Sequence, residues 1–139
     1  MSIALNSTSL QLPASGIVSE VSLTSIPGYY NEERPWGGFE RITQNEKSTV
    51  KILRLDSGKR FSLQKHAKRE EFWRVIEGNG KFTIGDETID ATIGTEVRIP
   101  VGTIHRAEGG AAGMKILEIT TGEHDEADIE RIEDDFGRV

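Results

Sequence analysis

One set of side chains in the sequence combines ligand-type chemistry with spacings that strand geometry can use: Gln64-x-His66, then Glu71, then His105. In a strand, side chains two apart share a face, so Gln64 and His66 enter the same space and Lys65 between them turns away. The four residues from Ala67 to Glu70 let the chain reverse. Glu71 then starts the next strand beside the first pair, with Trp73 and Val75 on its face. His105 follows the turn Pro100-Val101-Gly102, which re-aims the chain just before the imidazole. One amide oxygen, two imidazoles and one carboxylate suit a borderline divalent ion with positions left for water or substrate. Zinc is the first expectation; cobalt, manganese, nickel and iron are the alternatives. The sequence has no cysteine, so thiolate sites, thiol nucleophiles and disulfides are excluded. The third histidine, His124, sits among acids and reads as an ordinary surface residue.

Short segments rich in β-branched and apolar residues must position this set. They run over 50–55, 60–66, 71–76, 81–84, 87–91, 96–99, 104–108 and 114–121, separated by Asp56-Ser57-Gly58, Gly78-Asn79-Gly80, Gly85-Asp86, Pro100-Val101-Gly102 and the run 109–113. Eight strands at this spacing predict an all-β antiparallel barrel or sandwich. Ala127, Ile129, Ile132 and Phe136 among acids predict a short amphipathic C-terminal helix over 125–135. Residues 1–25 form an N-terminal arm, rich in Ser and Thr with alternating apolar positions, either frayed or paired as an extra strand. Residues 26–139 make one domain. Both tryptophans, Trp36 and Trp73, are expected in the core.

The 139 residues carry 17 Lys plus Arg against 23 Asp plus Glu, a net charge of -6. That balance argues against nucleic acid as a partner, which would need a basic face. No apolar run reaches the length of a membrane span, and the N-terminus lacks the features of a secretion signal. The expectation is a cytoplasmic protein with no membrane partner.

Gly58-x5-Gln64-x-His66-x4-Glu71-x6-Gly78 resembles the first cupin motif with Gln in the first His place, and Gly94-x5-Pro100-x-Gly102-x2-His105 resembles the second. Arg34-Pro35-Trp36-Gly37, Ser62-Leu63-Gln64-x-His66-x-x-Arg69-x-Glu71-x-Trp73, Ile99-Pro100-x-Gly102-Thr103-x-His105-Arg106 and Asp128-Ile129-x-Arg131-x-x-Asp134-x-Phe136-Gly137-Arg138 follow in this order. Together they are similar to the cupin domain of type II phosphomannose isomerases, often fused behind a mannose-1-phosphate guanylyltransferase domain. The resemblance covers residues 32–138 and departs at Phe72, Gly109 and Thr120, where the family usually has His, Asn and Gln. It implies a jelly-roll barrel and a free-standing isomerase unit, since no Gly-rich nucleotide-binding loop is present.

The resemblance further implies interconversion of mannose 6-phosphate and fructose 6-phosphate by a proton shift between C2 and C1 through an enediol. A divalent ion on Gln64, His66, Glu71 and His105 would act as Lewis acid, which leaves Glu71 a poor base. Arg69, in the corner between the ligand-bearing strands, is the expected catalytic and substrate-binding guanidinium. Arg106, Lys51 and Arg138 are further substrate-binding candidates for the sugar phosphate, and no base can be named. The resemblance also implies a homodimer, and an edge strand needs covering on physical grounds. The alternative function is a non-catalytic cupin that binds a sugar phosphate or nucleotide sugar.

Overall fold

The computed structural model describes residues 28–139, and the N-terminal arm, together with the start of the predicted domain, lies outside them. A hairpin of β1 (Tyr30–Arg34) and β2 (Gly37–Arg41) stands as a separate two-stranded sheet. Trp36 occupies its tip and is 70% exposed, so the core expectation for that residue is corrected. A two-residue turn leaves a bulky side chain nothing to pack against.

Seven strands follow: β3 (Ser48–Leu55), β4 (Leu63–Lys65), β5 (Arg69–Ile84), β6 (Glu87–Ala91), β7 (Glu96–Ile99), β8 (His105–Gly122) and β9 (Glu130–Glu133). All pairings are antiparallel. The first half of β5 pairs with the second half of β8, flanked by β7 and β3. The second half of β5 pairs with the first half of β8, flanked by β6 and by β4 with β9. Two strands thus cross from one sheet into the other and fold the molecule into the expected jelly roll.

The crossing explains why the predicted turn at Gly78-Asn79-Gly80 is no chain reversal. The backbones of β5 and β8 approach so closely there that a Cβ on Gly78 would lie 2.2 Å from the Gly113 carbonyl oxygen, and one on Gly80 would lie 2.0 Å from that of Glu108. Register shifts flank these glycines and bend both strands at once. Gly109 belongs to the same corner, where a Cβ would lie 2.7 Å from the Asp56 carbonyl oxygen; close backbone approach accounts for glycine in place of the family's Asn.

Between the sheets lies an apolar core of Leu55, Trp73, Val75, Phe82, Ile84, Ile89, Ala91, Val97, Ile99, Ala107, Met114 and Ile116. Among the described residues there is no helix, so none is long and apolar enough to cross a membrane. The predicted C-terminal helix is corrected: the Asp125 carboxylate accepts the Ala127 N–H at 2.9 Å, a local turn that competes with helical hydrogen bonding. The chain then extends as β9 to pair Lys65, Gln64 and Leu63 with Glu130, Arg131 and Glu133.

Candidate metal centre

Register assembles the site. On β8, Met114, Ile116, Glu118 and Thr120 alternate onto the buried side, and the last three lie opposite the inward Val75, Trp73 and Glu71 of β5. Three rows cross this sheet: Leu53, Ile116 and Val75; then Lys51, Glu118 and Trp73; then Thr49, Thr120 and Glu71. Along two strands the interior thus changes from apolar to ionisable. From the facing sheet, Gln64 and His105 are direct cross-strand partners. The His105 ring packs edge-on against Trp73, with centroids 5.6 Å apart, and stands 5.0 Å from the His66 ring.

His66, Glu71 and His105 are buried, with ligand atoms all within 4.8 Å of one another. Both imidazoles are oriented from behind. His66 Nδ1 donates to the Asp128 carbonyl at 2.7 Å, and His105 Nδ1 donates to the Thr103 carbonyl at 2.8 Å. A carbonyl only accepts, so each neutral ring carries its proton on Nδ1 and turns the Nε2 lone pair inward. The turn before His105 also fixes its neighbour, since the Gly102 N–H donates to the His66 carbonyl at 2.9 Å.

Acceptors therefore face acceptors. His66 Nε2 lies 3.2 Å from Glu71 Oε2, and His105 Nε2 lies 3.5 Å from Glu71 Oε1. Buried His105 Nε2 has no hydrogen-bond partner. Such a set is completed by a cation, so the residues fit a divalent metal. Gln64 adjoins the set with its amide nitrogen, 3.5 Å from His66 Nε2, while its oxygen accepts from Ser62 Oγ at 2.7 Å. A half-turn of the amide would present the oxygen and keep a bond to the Ser62 hydroxyl, which can donate or accept. Burial raises the Glu71 carboxyl pKa. The hydrogen-bond contact with His66 and the neighbouring His105, His66 and Arg69 outweigh burial and bring it down to about 2. Burial pushes His105 down.

Arg69 is part of this centre. Its guanidinium is buried, donating from Nε to Glu71 Oε2 at 3.2 Å, from Nη2 to His66 Nε2 at 3.2 Å and from Nη1 to the Asp125 carbonyl at 3.2 Å. Lys51 reaches the rim, with Nζ 3.7 Å from Glu118 Oε2 and 3.3 Å from Glu126 Oε2. The structure does not bring the other two cations to the centre. Arg106 alternates away from His105; its Nε donates to the Phe61 carbonyl and its Nη1 to Glu133. Arg138 is exposed and clamped to Asp134 four residues earlier. Phe72 is buried on the opposite side of β5 from Glu71, as alternation along a strand requires of its neighbour.

Three further groups escape the sequence reading. Glu118 is 4% exposed inside the barrel, and an acid in step with Met114 and Ile116 is the signal that marks it. Its Oε1 accepts from Trp73 Nε1 at 3.1 Å, and the same N–H reaches Glu71 Oε1 at 3.1 Å. Burial first, then the Glu71 charge, push its carboxyl up to about 7. Asp128 accepts the N–H groups of Ala67 and Lys68 at 2.9 Å each, tying residues 123–128 across the corner. Those backbone bonds, led by Ala67, hold its carboxyl below the usual range. His124 is largely buried rather than free on the surface, with Nδ1 3.3 Å from Thr120 Oγ1 and Nε2 2.9 Å from Glu126.

Residues 27–134 match the family model described as mannose-6-phosphate isomerase C-terminal. The alginate biosynthesis protein AlgA of Pseudomonas aeruginosa is 36% identical over 108 residues, covering 76% of this chain and 22% of AlgA. Mannose-1-phosphate guanylyltransferase 2 of Escherichia coli O157:H7 is 35% identical over 92 residues, 66% of this chain and 19% of that protein. This chain thus spans about a fifth of the length of these curated relatives. A cupin 2 conserved barrel domain protein from Rhodopseudomonas palustris superposes with a TM-score of 0.53 at 18% identity, covering 70% of this chain and 61% of that one, and supports the fold alone.

Proposed function

The chain belongs to the mannose-6-phosphate isomerase C-terminal family of cupin domains, and from that premise we propose that it is a metal-dependent aldose–ketose isomerase interconverting mannose 6-phosphate and fructose 6-phosphate. The relatives' names, alginate biosynthesis and mannose-1-phosphate guanylyltransferase, suggest that it serves nucleotide-sugar and polysaccharide synthesis. The observation that carries the reading is the buried His66–Glu71–His105 set with Arg69 hydrogen-bonded into it. His66, Glu71 and His105, joined by Gln64, would hold the metal, zinc in the first instance, which supplies Lewis-acid polarisation of the sugar carbonyl.

The chain's own residues do the rest. Arg69 Nη1 is satisfied by the backbone of the 123–128 segment, so a lift of that segment frees a donor for a sugar oxygen. Lys51, at the rim, provides a cation for the phosphate end. Trp73 closes the floor and excludes water below the reacting carbons. The proposed setting is cytoplasmic, as a homodimer; exposed Val50 and Ile52 on edge strand β3 support pairing.

A coupled assay on metal-stripped protein, resupplied in turn with zinc, cobalt, manganese, nickel and iron, tests the reading. Turnover that appears with metal and vanishes in His66→Ala and His105→Ala, together with bound metal, is expected. Full activity in either variant overturns it. The second reading is a non-catalytic cupin that binds a sugar phosphate. Arg69 favours it, because an internal cation already bridges His66 and Glu71. Saturable binding of mannose 6-phosphate with no turnover under any metal would select it.

A further inference from the structure

An aldose–ketose isomerase needs a group that takes the C2 proton and returns it at C1, and this group must own a lone pair that the metal does not use. Few side chains facing the interior qualify. His66, His105 and Glu71 offer their ligand atoms to one another within 4.8 Å, Arg69 has no lone pair, Thr120 Oγ1 is engaged with the Thr49 carbonyl at 3.4 Å, and both ring nitrogens of His124 are engaged, with Thr120 Oγ1 at 3.3 Å and Glu126 at 2.9 Å.

Glu118 remains. We propose that its carboxylate is the acid–base group that carries the proton between C2 and C1; the inference rests on the isomerase reading. Glu118 Oε1 is fixed by Trp73 Nε1, while Oε2 is buried with no hydrogen-bond partner. Because one indole N–H spans Glu118 and Glu71, both carboxylates address the same space, one inward row apart. The charged groups facing Glu118 are Lys51 from β3 and Glu71 with Arg69 from β5; Glu126 of the 123–128 segment acts on it through Lys51. As a purely structural residue Glu118 is costly, since a buried carboxylate oxygen with no hydrogen bond, and only Lys51 Nζ at 3.7 Å, recovers little of its lost hydration. Burial raises this carboxyl above the ordinary carboxylate range, the direction that suits proton transfer near neutral pH.

The chemistry balances without a further reactant. In the open-chain aldose, the Glu118 carboxylate takes the proton from C2, the C–H electron pair becomes the C1=C2 bond, and the carbonyl pair moves onto O1. The hydroxyl proton on O2 passes to O1, and the O2 electron pair closes the C2=O bond. As it closes, the C1=C2 bond breaks and its electron pair takes the proton back from the Glu118 carboxyl, forming the new C1–H bond. The ketose is released and the carboxylate restored.

Metal-loaded wild type, Glu118→Gln and Glu118→Asp are compared by turnover against pH and by calorimetric binding of mannose 6-phosphate. Glu118→Gln should lose about 10²- to 10⁴-fold in kcat, the usual share of acid–base catalysis. Sugar-phosphate affinity and bound metal should stay within about threefold, and the acidic limb of the pH profile should disappear from the residual rate. Glu118→Asp keeps the carboxylate and guards against a folding defect; it should lose at least about tenfold, with that limb displaced. Wild-type turnover with either variant at full rate overturns the role of Glu118 and leaves the isomerase standing. Wild type that binds sugar phosphate without turnover under any metal removes both.

Discussion

The interior between the two sheets is built from one pair of strands in two chemistries. Toward the glycine corner, β5 and β8 bury Val75, Phe82, Ala107, Met114 and Ile116 with no polar partner to satisfy. Toward the opposite end the same strands bury Arg69, Glu71, His105, Glu118 and Thr120. The apolar end contributes stability through burial; the polar end spends it holding charges out of water for a cation and a substrate to meet. If that division is right, substitutions at the two ends should differ in sign as well as size.

The largest effect belongs to the apolar end. Phe82 is fully buried and packs edge-on against Trp73 with centroids 5.0 Å apart. Phe82→Ala should destabilise the protein by about 3–5 kcal/mol in urea unfolding, the cost of lost transfer energy plus a cavity. A loss below about 1 kcal/mol would show that this end is not where the fold is held. Next comes the corner itself. Gly80→Ala drives a methyl against the Glu108 backbone, which cannot yield as a side-chain tip would, so about 3 kcal/mol is expected by the same measurement. Wild-type stability in that variant would mean that the two strands can separate without cost.

At the polar end the sign reverses. Glu118 titrates near 7 in the folded protein and near 4.5 when unfolded, so between those values the native state holds the extra proton. Stability of the metal-free protein should fall as pH rises from about 4.5 to 7 and level off above. Glu118→Gln cannot titrate and should be the more stable form at pH 8 by on the order of 2 kcal/mol, with little advantage at pH 5. Urea midpoints at the two pH values decide it; equal midpoints would show that Glu118 carries no burial cost. Glu71 runs the other way. Its folded value of about 2 contributes stability above 4.5 that is lost as pH falls toward 2.

The contrast also explains what the sequence disclosed. Gln64, His66, Glu71 and His105 were legible because period-two alternation and two turns place them without knowledge of the sheet partners. Alternation with Met114 and Ile116 marks Glu118 as buried, but its role lies in being opposite Lys51 and Trp73, a register no single segment encodes. The strands 87–91 and 96–99 were read at their observed limits, whereas 71–76 with 81–84, and 104–108 with 114–121, merged into β5 and β8. Glycines that signal a turn in one strand signal close approach when two strands bend together. The C-terminal segment misled for a related reason. Apolar spacing suggested a helix, while the Asp125 turn and the free edge of β4 were tertiary facts.

The smallest expected effect tests whether the rim belongs to the polar end at all. Lys51 and His124 both meet the exposed Glu126 carboxylate, and its pKa is lowered chiefly by the His124 bond. Exposed pairs of this kind contribute at most about 1 kcal/mol, so Glu126→Gln should leave the urea midpoint almost unchanged. Yet the charge it removes is the one that holds Lys51 outward. Lys51 then has Glu118 as its remaining carboxylate partner, and the carboxyl of Glu118 should titrate at lower pH. A pH profile of stability that shifts to lower pH in Glu126→Gln, at nearly constant midpoint near pH 5, would join rim and interior into one electrostatic unit. An unshifted profile would confine the polar end to the residues beneath Lys51.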